Sequence, residues 1–351
     1  MSSLPTPEPT SAAARPRVLS GMRPTGALHL GHYHGALKNW VRLQSTHDCF
    51  FFVADWHALT TQYQDRQNRN SIERNVYDMV VDWLAAGIDP EKATLFIQSR
   101  MPEHAELFTL LAMSTPTSWL ERIPSYKDAI EKQRASSTPG EGATYGFLGY
   151  PLLQAADILI YKAGFVPVGE DQTAHVEVTR EVARRFNRIY SPDAPILPEP
   201  EELLTETARL PGLDGQKMSK SYNNAVAMRD APEVVDEKIR TMPTDPQRVR
   251  RSDAGEPSRC PVWPLHQLYC DESTRAWATE GCRSASIGCL DCKKPLIEAI
   301  QKEQAPWRER ANEYLANPKQ VQWIVEVGTE RARAVARKTL REVRTAMGLA
   351  Y

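Results

Sequence analysis

Apolar positions along the chain fall into two kinds of pattern. Arg17-Val18-Leu19-Ser20, Cys49-Phe50-Phe51-Phe52-Val53-Ala54, Ala93-Thr94-Leu95-Phe96-Ile97 and Phe165-Val166-Pro167-Val168 are short, nearly continuous apolar runs, the pattern of buried strands. Between them apolar residues recur at three- and four-residue steps. Leu30, Tyr33, Leu37 and Trp40 form one such face, and Ile72, Val76, Met79, Val80, Trp83 and Leu84 form another that stops at Gly87, a glycine helix stop. Helices are predicted from Glu103 to Met113, from Ser118 to Lys132 with a break at Pro124, over Tyr150 to Tyr161, and around Val176, Thr179, Val182, Ala183 and Phe186. Strands alternating with helices predict an α/β fold with a parallel sheet. From about Leu203 the strand-like runs stop and the pattern turns helical with interruptions. The segment from Val321 to Leu349 reads as one helix whose charges, Arg331, Arg333, Arg337, Lys338, Arg341 and Arg344, suit a solvated face, with nucleic-acid phosphate contacts by some of them as the other reading. No internal repeat is present.

The junction after the first run concentrates candidate chemistry. Ser20-Gly21-Met22-Arg23-Pro24-Thr25-Gly26-Ala27-Leu28-His29-Leu30-Gly31-His32 links a strand to a helix through glycines, a proline and two histidines three residues apart. Positions three apart share a helix face. A helix start offers free N–H groups and a positive dipole end, so two imidazoles beside it make a site for phosphate. Far downstream, Asp214-Gly215-Gln216 leads into Lys217-Met218-Ser219-Lys220-Ser221, a turn that carries two ammonium groups on one loop. Read by itself, that loop is first of all a solvated basic surface.

Polar groups recur at the ends of the predicted strands. Asp55-Trp56-His57 follows the second run, where open α/β sheets place ligands. Gly169-Glu170-Asp171-Gln172 follows the fourth, a turn suited to hydroxyl or amine recognition and also to a plain helix cap. On the helix between, Tyr150, Gln154, Asp157 and Tyr161 are spaced four, three and four apart, one polar stripe on an otherwise apolar helix. A carboxylate and an amide there face either water or a ligand in a pocket wall. Ala135-Ser136-Ser137-Thr138-Pro139-Gly140-Glu141-Gly142 has the composition of a loop, a lid or plain surface.

Composition narrows the class. The chain has 351 residues and a formal net charge of −1, so no bulk field announces a nucleic-acid partner and any RNA surface must be a local patch. No apolar run is long enough to span a bilayer, and the N-terminus lacks the apolar core of a signal peptide. Ser2 to Pro16, rich in Ser, Pro, Thr and Ala, is expected to be disordered. A cytoplasmic location follows, so the six cysteines are expected reduced, buried or metal-bound. Cys282, Cys289 and Cys292, with Cys260 upstream, end in a C-x-x-C pair and suggest a four-thiolate metal site; Cys270 does not fit the pattern.

His29-Leu30-Gly31-His32 followed at domain-scale distance by Lys217-Met218-Ser219-Lys220-Ser221 resembles the paired HxGH and KMSKS motifs of the class I aminoacyl-tRNA synthetases. Within that class the chain resembles the bacterial tryptophanyl-tRNA synthetases over nearly its whole length after Pro16. The segments that carry the resemblance are Ser-Gly-x-Arg-Pro-Thr-Gly-x-Leu-His-Leu-Gly-His-Tyr at 20–33, Asp-x-His-Ala-Leu-Thr at 55–60 and Tyr-Pro-Leu-Leu-Gln-Ala-Ala-Asp-Ile-Leu at 150–159. The most discriminating is Pro-Val-Gly-Glu-Asp-Gln-x-x-His-x-Glu at 167–177, and the ending Ala346-Met347-Gly348-Leu349 also looks like this family.

The resemblance implies a fold: after a disordered extension at 1–16, a Rossmann-like catalytic domain at 17–208. The KMSKS loop and an all-helical anticodon-binding domain with the cysteines would occupy 209–316, and a last helix at 317–351 would pack back on the catalytic part. It implies a homodimeric tryptophan–tRNA ligase that joins tryptophan to ATP, with Mg²⁺ assisting, and passes the amino acid to tRNA(Trp). His29, His32, Lys217 and Lys220 would act on the triphosphate. Arg23, Thr25, Gly26, Gly31, Gly169, Asp171, Met218 and Ser219 would complete the ATP site. Leu19, Gly21, His57, Tyr150, Gln154, Asp157, Val166, Val168 and Gln172 would hold tryptophan, with Asp157 accepting from the indole N–H and Gln172 meeting the α-amino group. Leu19 stands where several relatives have an aromatic residue. Some relatives with a similar cysteine pattern carry a [4Fe–4S] cluster; Zn²⁺ is the alternative, and the first gap is one residue shorter here. Three readings compete with the ligase: a paralogue kept for binding tRNA or protein, a tyrosyl-specific relative, and a nucleotidyltransferase without tRNA.

Overall fold

A computed structural model describes residues 15–63, 69–135, 143–169, 172–204 and 210–351. The expected disordered extension, nearly all of the loop at 135–142, and both Glu170 and Asp171 lie outside the described residues. Five parallel strands form one sheet: β1 (Arg17–Met22), β2 (Asp48–Val53), β3 (Ala93–Ile97), β4 (Phe165–Val168) and β5 (Glu201–Leu204), in the spatial order β3-β2-β1-β4-β5. The order reverses between β1 and β4, and that reversal opens a crevice beyond the strands' carboxyl ends. After Asp48, β2 is apolar throughout because both its faces are covered. Cys49, Phe51 and Val53 enter the core on one face, and Phe50 and Phe52 enter the core on the other.

The helices follow in chain order. α1 (Leu30–His32) runs through a π turn (Tyr33–Leu37) into α2 (Lys38–Leu43); α3 (Asp55–Gln62) and α4 (Arg69–Ala86) come between β2 and β3. Gly87, with φ +110°, ends α4 as its position predicts. α5 (Pro102–Ala112), α6 (Thr117–Glu121), α7 (Pro124–Ala135) and α8 (Tyr145–Ile160) precede β4, and the break at Pro124 is observed, with Pro124 opening α7. α9 (Thr173–Tyr190) precedes β5. The helical remainder comprises α10 (Pro232–Thr241), α11 (Trp263–Tyr269), α12 (Glu272–Arg283), α13 (Cys289–Ala316) and α14 (Pro318–Ala346).

Two elements depart from the sequence pattern. β5 is a strand where the pattern shows none: Glu201-Glu202-Leu203-Leu204 is half-exposed at the sheet edge, so it carries no apolar run. α14 is not a freely solvated helix. Val321, Ile324 and Val325 join the core on one face of the sheet, and Ala332, Ala336, Leu340 and Val343 join the other. The helix therefore wraps the open edge at β3, where a Cβ on Gly328 would lie 1.9 Å from the Leu95 carbonyl oxygen. Three of its arginines bridge to acids on α5: Arg333 and Arg337 reach Glu103, and Arg344 makes a bidentate pair with Glu106.

Candidate active site

A cavity of about 510 Å³ opens at the carboxyl ends of β1, β2 and β4. All nine residues expected to hold the amino acid line it: Leu19, Gly21, His57, Tyr150, Gln154, Asp157, Val166, Val168 and Gln172. Arg23 and Gly169 line it too. The polar stripe of α8 thus faces a cavity at Tyr150, Gln154 and Asp157. Tyr161 lies behind, fully buried, with its hydroxyl 2.6 Å from His104 Nε2.

Among the cavity's lining residues, Asp157 is a fully buried carboxylate. Burial alone would raise its carboxyl pKa, but hydrogen bonds from His104 and His57 hold it below the usual carboxylate range. His57 Nε2 donates to Oδ2 at 2.8 Å and His104 Nδ1 to Oδ1 at 2.6 Å, while the Gln98 amide nitrogen lies 3.0 Å from both oxygens. Of these donors only His57 faces the cavity; Gln98 and His104 brace the carboxylate from behind. Neither was visible as a site residue in the sequence. The available signal was position: Gln98 immediately follows β3 and His104 lies in the first turn of α5, the same sheet edge as His57.

At the amine end, His175 joins three groups. Its Nδ1 lies 2.8 Å from Gln172 Oε1 and its Nε2 3.1 Å from the Tyr150 hydroxyl, which is 2.6 Å from Ser125 Oγ. Because an amide oxygen only accepts, Nδ1 carries the proton and Nε2 accepts from Tyr150.

The two signature motifs meet beside this cavity. Lys220 Nζ donates to the Gly26 carbonyl at 2.6 Å, and Gly26 adopts φ +112°. The His29 and His32 rings lie against each other, centroids 3.8 Å apart and planes tilted by 43°. The His29 backbone N–H donates to His32 Nδ1 at 3.2 Å, which fixes the His32 proton on Nε2. Burial, then the Lys220 charge, depresses His29 to about 4; burial, His29 and Lys220 push His32 well below its ordinary value. Both rings are neutral donors at neutral pH. Burial also lowers Lys220 to about 8, against the opposing charge of Asp82. A Cβ on Gly31 would lie 3.0 Å from the His29 ring and 4.0 Å from Met218 Cβ, so glycine permits this approach.

Two residues absent from the sequence reading hold the motifs together. Asp82 on α4 accepts from the Leu28 N–H at 3.1 Å and pairs with Arg229 at 2.6 Å. Asn224 accepts from Ser219 N–H at 2.7 Å and donates to the Lys217 carbonyl at 3.1 Å. Lys217 itself is exposed, as is Thr25, and neither side chain is among the contacts that join the loop to the histidines.

A family profile described as tRNA synthetases class I (W and Y) matches residues 11–303. The tryptophan–tRNA ligase of Ralstonia nicotianae is 53% identical, covering 95% of this chain and 99% of its own length. That of Thermotoga maritima is 50% identical over 95% and 100%. The chain belongs to the bacterial class I tryptophanyl-tRNA synthetases. The Campylobacter jejuni tryptophanyl-tRNA synthetase, solved with ADP and tryptophan, superposes on this synthetase with a TM-score of 0.82 at 33% identity, covering 95% of this chain and all of its own.

The expected metal centre needs correction. Cys260, Cys282, Cys289 and Cys292 do line one cavity, with His266, Lys293 and Arg248 around them. Yet among the described residues no group of three or more His, Cys, Asp or Glu side chains is gathered closely enough to hold an ion. Burial, then the other thiols, pushes the Cys292 thiol up to about 12, so it is protonated here. Cys270, outside the spacing pattern, meets His266 Nδ1 at 3.3 Å, while Cys292 meets His266 Nε2 at 3.4 Å. Among the described residues no helix is long and apolar enough to cross a membrane.

Proposed function

We propose that this synthetase activates tryptophan in the cavity between β1 and β4 and transfers it to tRNA(Trp). The observation that carries this is the meeting of the Lys220 loop with Gly26 beside the paired histidines, together with a cavity lined by the flanking Arg23 and Gly35 that ends on a braced carboxylate. The tryptophan carboxylate attacks the α-phosphorus of ATP, and pyrophosphate leaves. That nucleophile is already ionised, so no general base is required. The protein's work is positioning and charge stabilisation. His29 and His32 hold the triphosphate as neutral N–H donors. Lys220 meets the charge growing on the leaving pyrophosphate, and Lys217 joins it when the loop closes. Gly26, Gly31, Met218 and Ser219 shape that pocket, Arg23, Thr25 and Gly169 flank it, and Asp171 meets the ribose. Mg²⁺ arrives with the nucleotide and supplies further charge neutralisation.

At the other end, Asp157 accepts from the indole N–H beside His57, and Gln172 and Tyr150 receive the α-ammonium. A site built to accept a substrate N–H rejects analogues lacking it, because its acceptor is left stranded. Residues 17–208 form the activating domain, 209–316 read the tRNA, and 317–351 lock the two together. The enzyme works as a cytoplasmic homodimer, supported by the large apolar side chains left open at Met113 and Tyr145, beside α5 and α8. ATP–pyrophosphate exchange dependent on tryptophan and not on tyrosine, followed by charging of tRNA(Trp), is the expected result. Exchange with tyrosine alone, or no charging, would replace this reading.

The cysteine cavity is the place where a [4Fe–4S] cluster, with Zn²⁺ as the alternative, would be held, since all four thiols border a single space. Anaerobically purified protein should contain iron and acid-labile sulfide; zinc alone selects the alternative, and no metal removes this reading.

A further inference from the structure

The turn after the two signature histidines is not an ordinary helix. Tyr33–Leu37 form a π turn, a rare geometry concentrated at functional sites. Its residues divide between two environments. Gly35 and Ala36 line the amino-acid cavity. Tyr33 and His34 instead engage the helical region. The Tyr33 ring packs against Trp307 of α13 with centroids 4.2 Å apart. His34 Nε2 lies 2.9 Å from the Tyr269 hydroxyl on α11 and 3.0 Å from Glu303 Oε2 on α13.

The chemistry of this contact exceeds what packing requires. The His34 side chain is 4% exposed, yet it carries hydrogen bonds rather than apolar contact alone. The Tyr269 hydroxyl is held protonated by burial and by the neighbouring Glu303 charge. A hydrogen-bonded group of three polar side chains, His34 buried and Glu303 a quarter exposed, fixes direction as well as distance. It grips the π turn one residue before the two that border the cavity. A shift of α11 or α13 reaches Gly35 and Ala36 through His34, and from α13 also through Tyr33.

We propose that His34 is a positioning residue for amino-acid activation: tied to Tyr269 and Glu303, it sets the Gly35–Ala36 wall against the bound amino acid and so couples the helical region to tryptophan affinity. This rests on the reading of the cavity as the tryptophan site. His34 touches neither substrate, so its effect should separate the two substrates.

The test is ATP–pyrophosphate exchange by the full-length enzyme without tRNA, with KM measured for tryptophan and ATP, beside thermal unfolding. His34→Ala should raise the tryptophan KM about tenfold, the size of a lost 1.4 kcal/mol contact, with the ATP KM within about twofold. His34→Gln, which keeps a donor near the Nε2 position, should recover most of the loss. Tyr269→Phe removes one hydroxyl, is expected to fold even if His34→Ala fails to, and should raise the tryptophan KM about threefold. Unchanged tryptophan KM in His34→Ala and Tyr269→Phe, or equal rises for both substrates, overturns the proposal. Tyr150→Phe separates the two failures. If it raises the tryptophan KM while the His34 variants do not, only the positioning role falls; if it does not, the reading of the cavity falls as well.

Discussion

Lys220 Nζ donates a 2.6 Å hydrogen bond to the carbonyl of Gly26, joining positions 194 residues apart in the chain. The bond holds the loop over the histidine turn before any substrate arrives. Nucleotide must displace it, since the ammonium is then needed on phosphate. Lys220→Ala should therefore lower the rate of adenylate formation by about 3 kcal/mol of barrier, on the order of a hundredfold, the usual loss for one preorganised donor. Tryptophan binding, measured by equilibrium titration, should change little. Equal losses in both would contradict a role confined to the leaving group.

Burial gives Lys220 a titration near working pH. Its ammonium is lowered to about 8 in the free enzyme. As pH rises through that value the charge is lost, so kcat/KM for ATP should fall above pH 8. Bound triphosphate favours the ammonium, so kcat should hold to higher pH. A pH profile of exchange from 6.5 to 10 checks both limbs. An unchanged descending limb in Lys220→Ala would assign it to another group.

The histidines act on the acid side through stability. His29 takes its proton near 4 when folded and near 6.5 when free. Between those values the unfolded chain binds more protons, so stability rises with pH from 4 to 6.5 and is lost as pH falls through that window. His32, also depressed, acts in the same direction. Unfolding midpoints should drop over this range by the equivalent of about 2 kcal/mol, and His29→Asn should flatten the slope. A slope unaltered by that substitution would place the acid sensitivity elsewhere.

What could be read from the sequence and what could not divide along physical lines. β1 to β4 were legible because parallel strands covered on both faces are apolar without interruption, as in Cys49–Val53. β5 was not, because an edge strand tolerates Glu201 and Glu202. Tyr150, Gln154 and Asp157 were legible as a stripe, since helical periodicity places them on one face. Gln98, His104, Asp82 and Asn224 carry no local pattern. Their meaning lies in partners brought close only by the fold: His104 meets Asp157 across 53 positions and Asp82 meets Leu28 across 54. The motif pair fixed the position of Lys220, but the exposed Lys217 shows that motif membership alone does not place a side chain.

Asp157 offers a test that combines stability with selectivity. Its two oxygens receive His57, Gln98 and His104 inside the fold. Asp157→Asn keeps the shape but turns one acceptor into a donor facing donors. The expected cost is about 3 kcal/mol, read from urea unfolding midpoints, because buried polar groups are left unpaired. The same variant should lose discrimination between tryptophan and an analogue whose ring nitrogen is replaced by sulfur, compared through kcat/KM in exchange. Retained discrimination would mean that another group accepts from the indole.

Gly328 is where α14 crosses the exposed edge of the sheet. The helix has apolar residues for both cores, Val325 for one and Ala332 for the other, and must pass β3 between them. At the crossing, an added Cβ would lie 1.9 Å from the Leu95 carbonyl oxygen, 2.8 Å from its carbon and 3.0 Å from its nitrogen. All three atoms are backbone of a strand paired with β2, so none can rotate away. In an open helix Gly→Ala would stabilise by up to about 1 kcal/mol. Here the helix must lift, and lifting withdraws residues from both cores at once. Gly328→Ala should therefore destabilise by about 3 kcal/mol or more, the range of overpacked cores and beyond. Amide exchange in β3 should accelerate, since α14 covers that edge. A neutral or stabilising Gly328→Ala would show that the helix can cross the edge without close backbone contact.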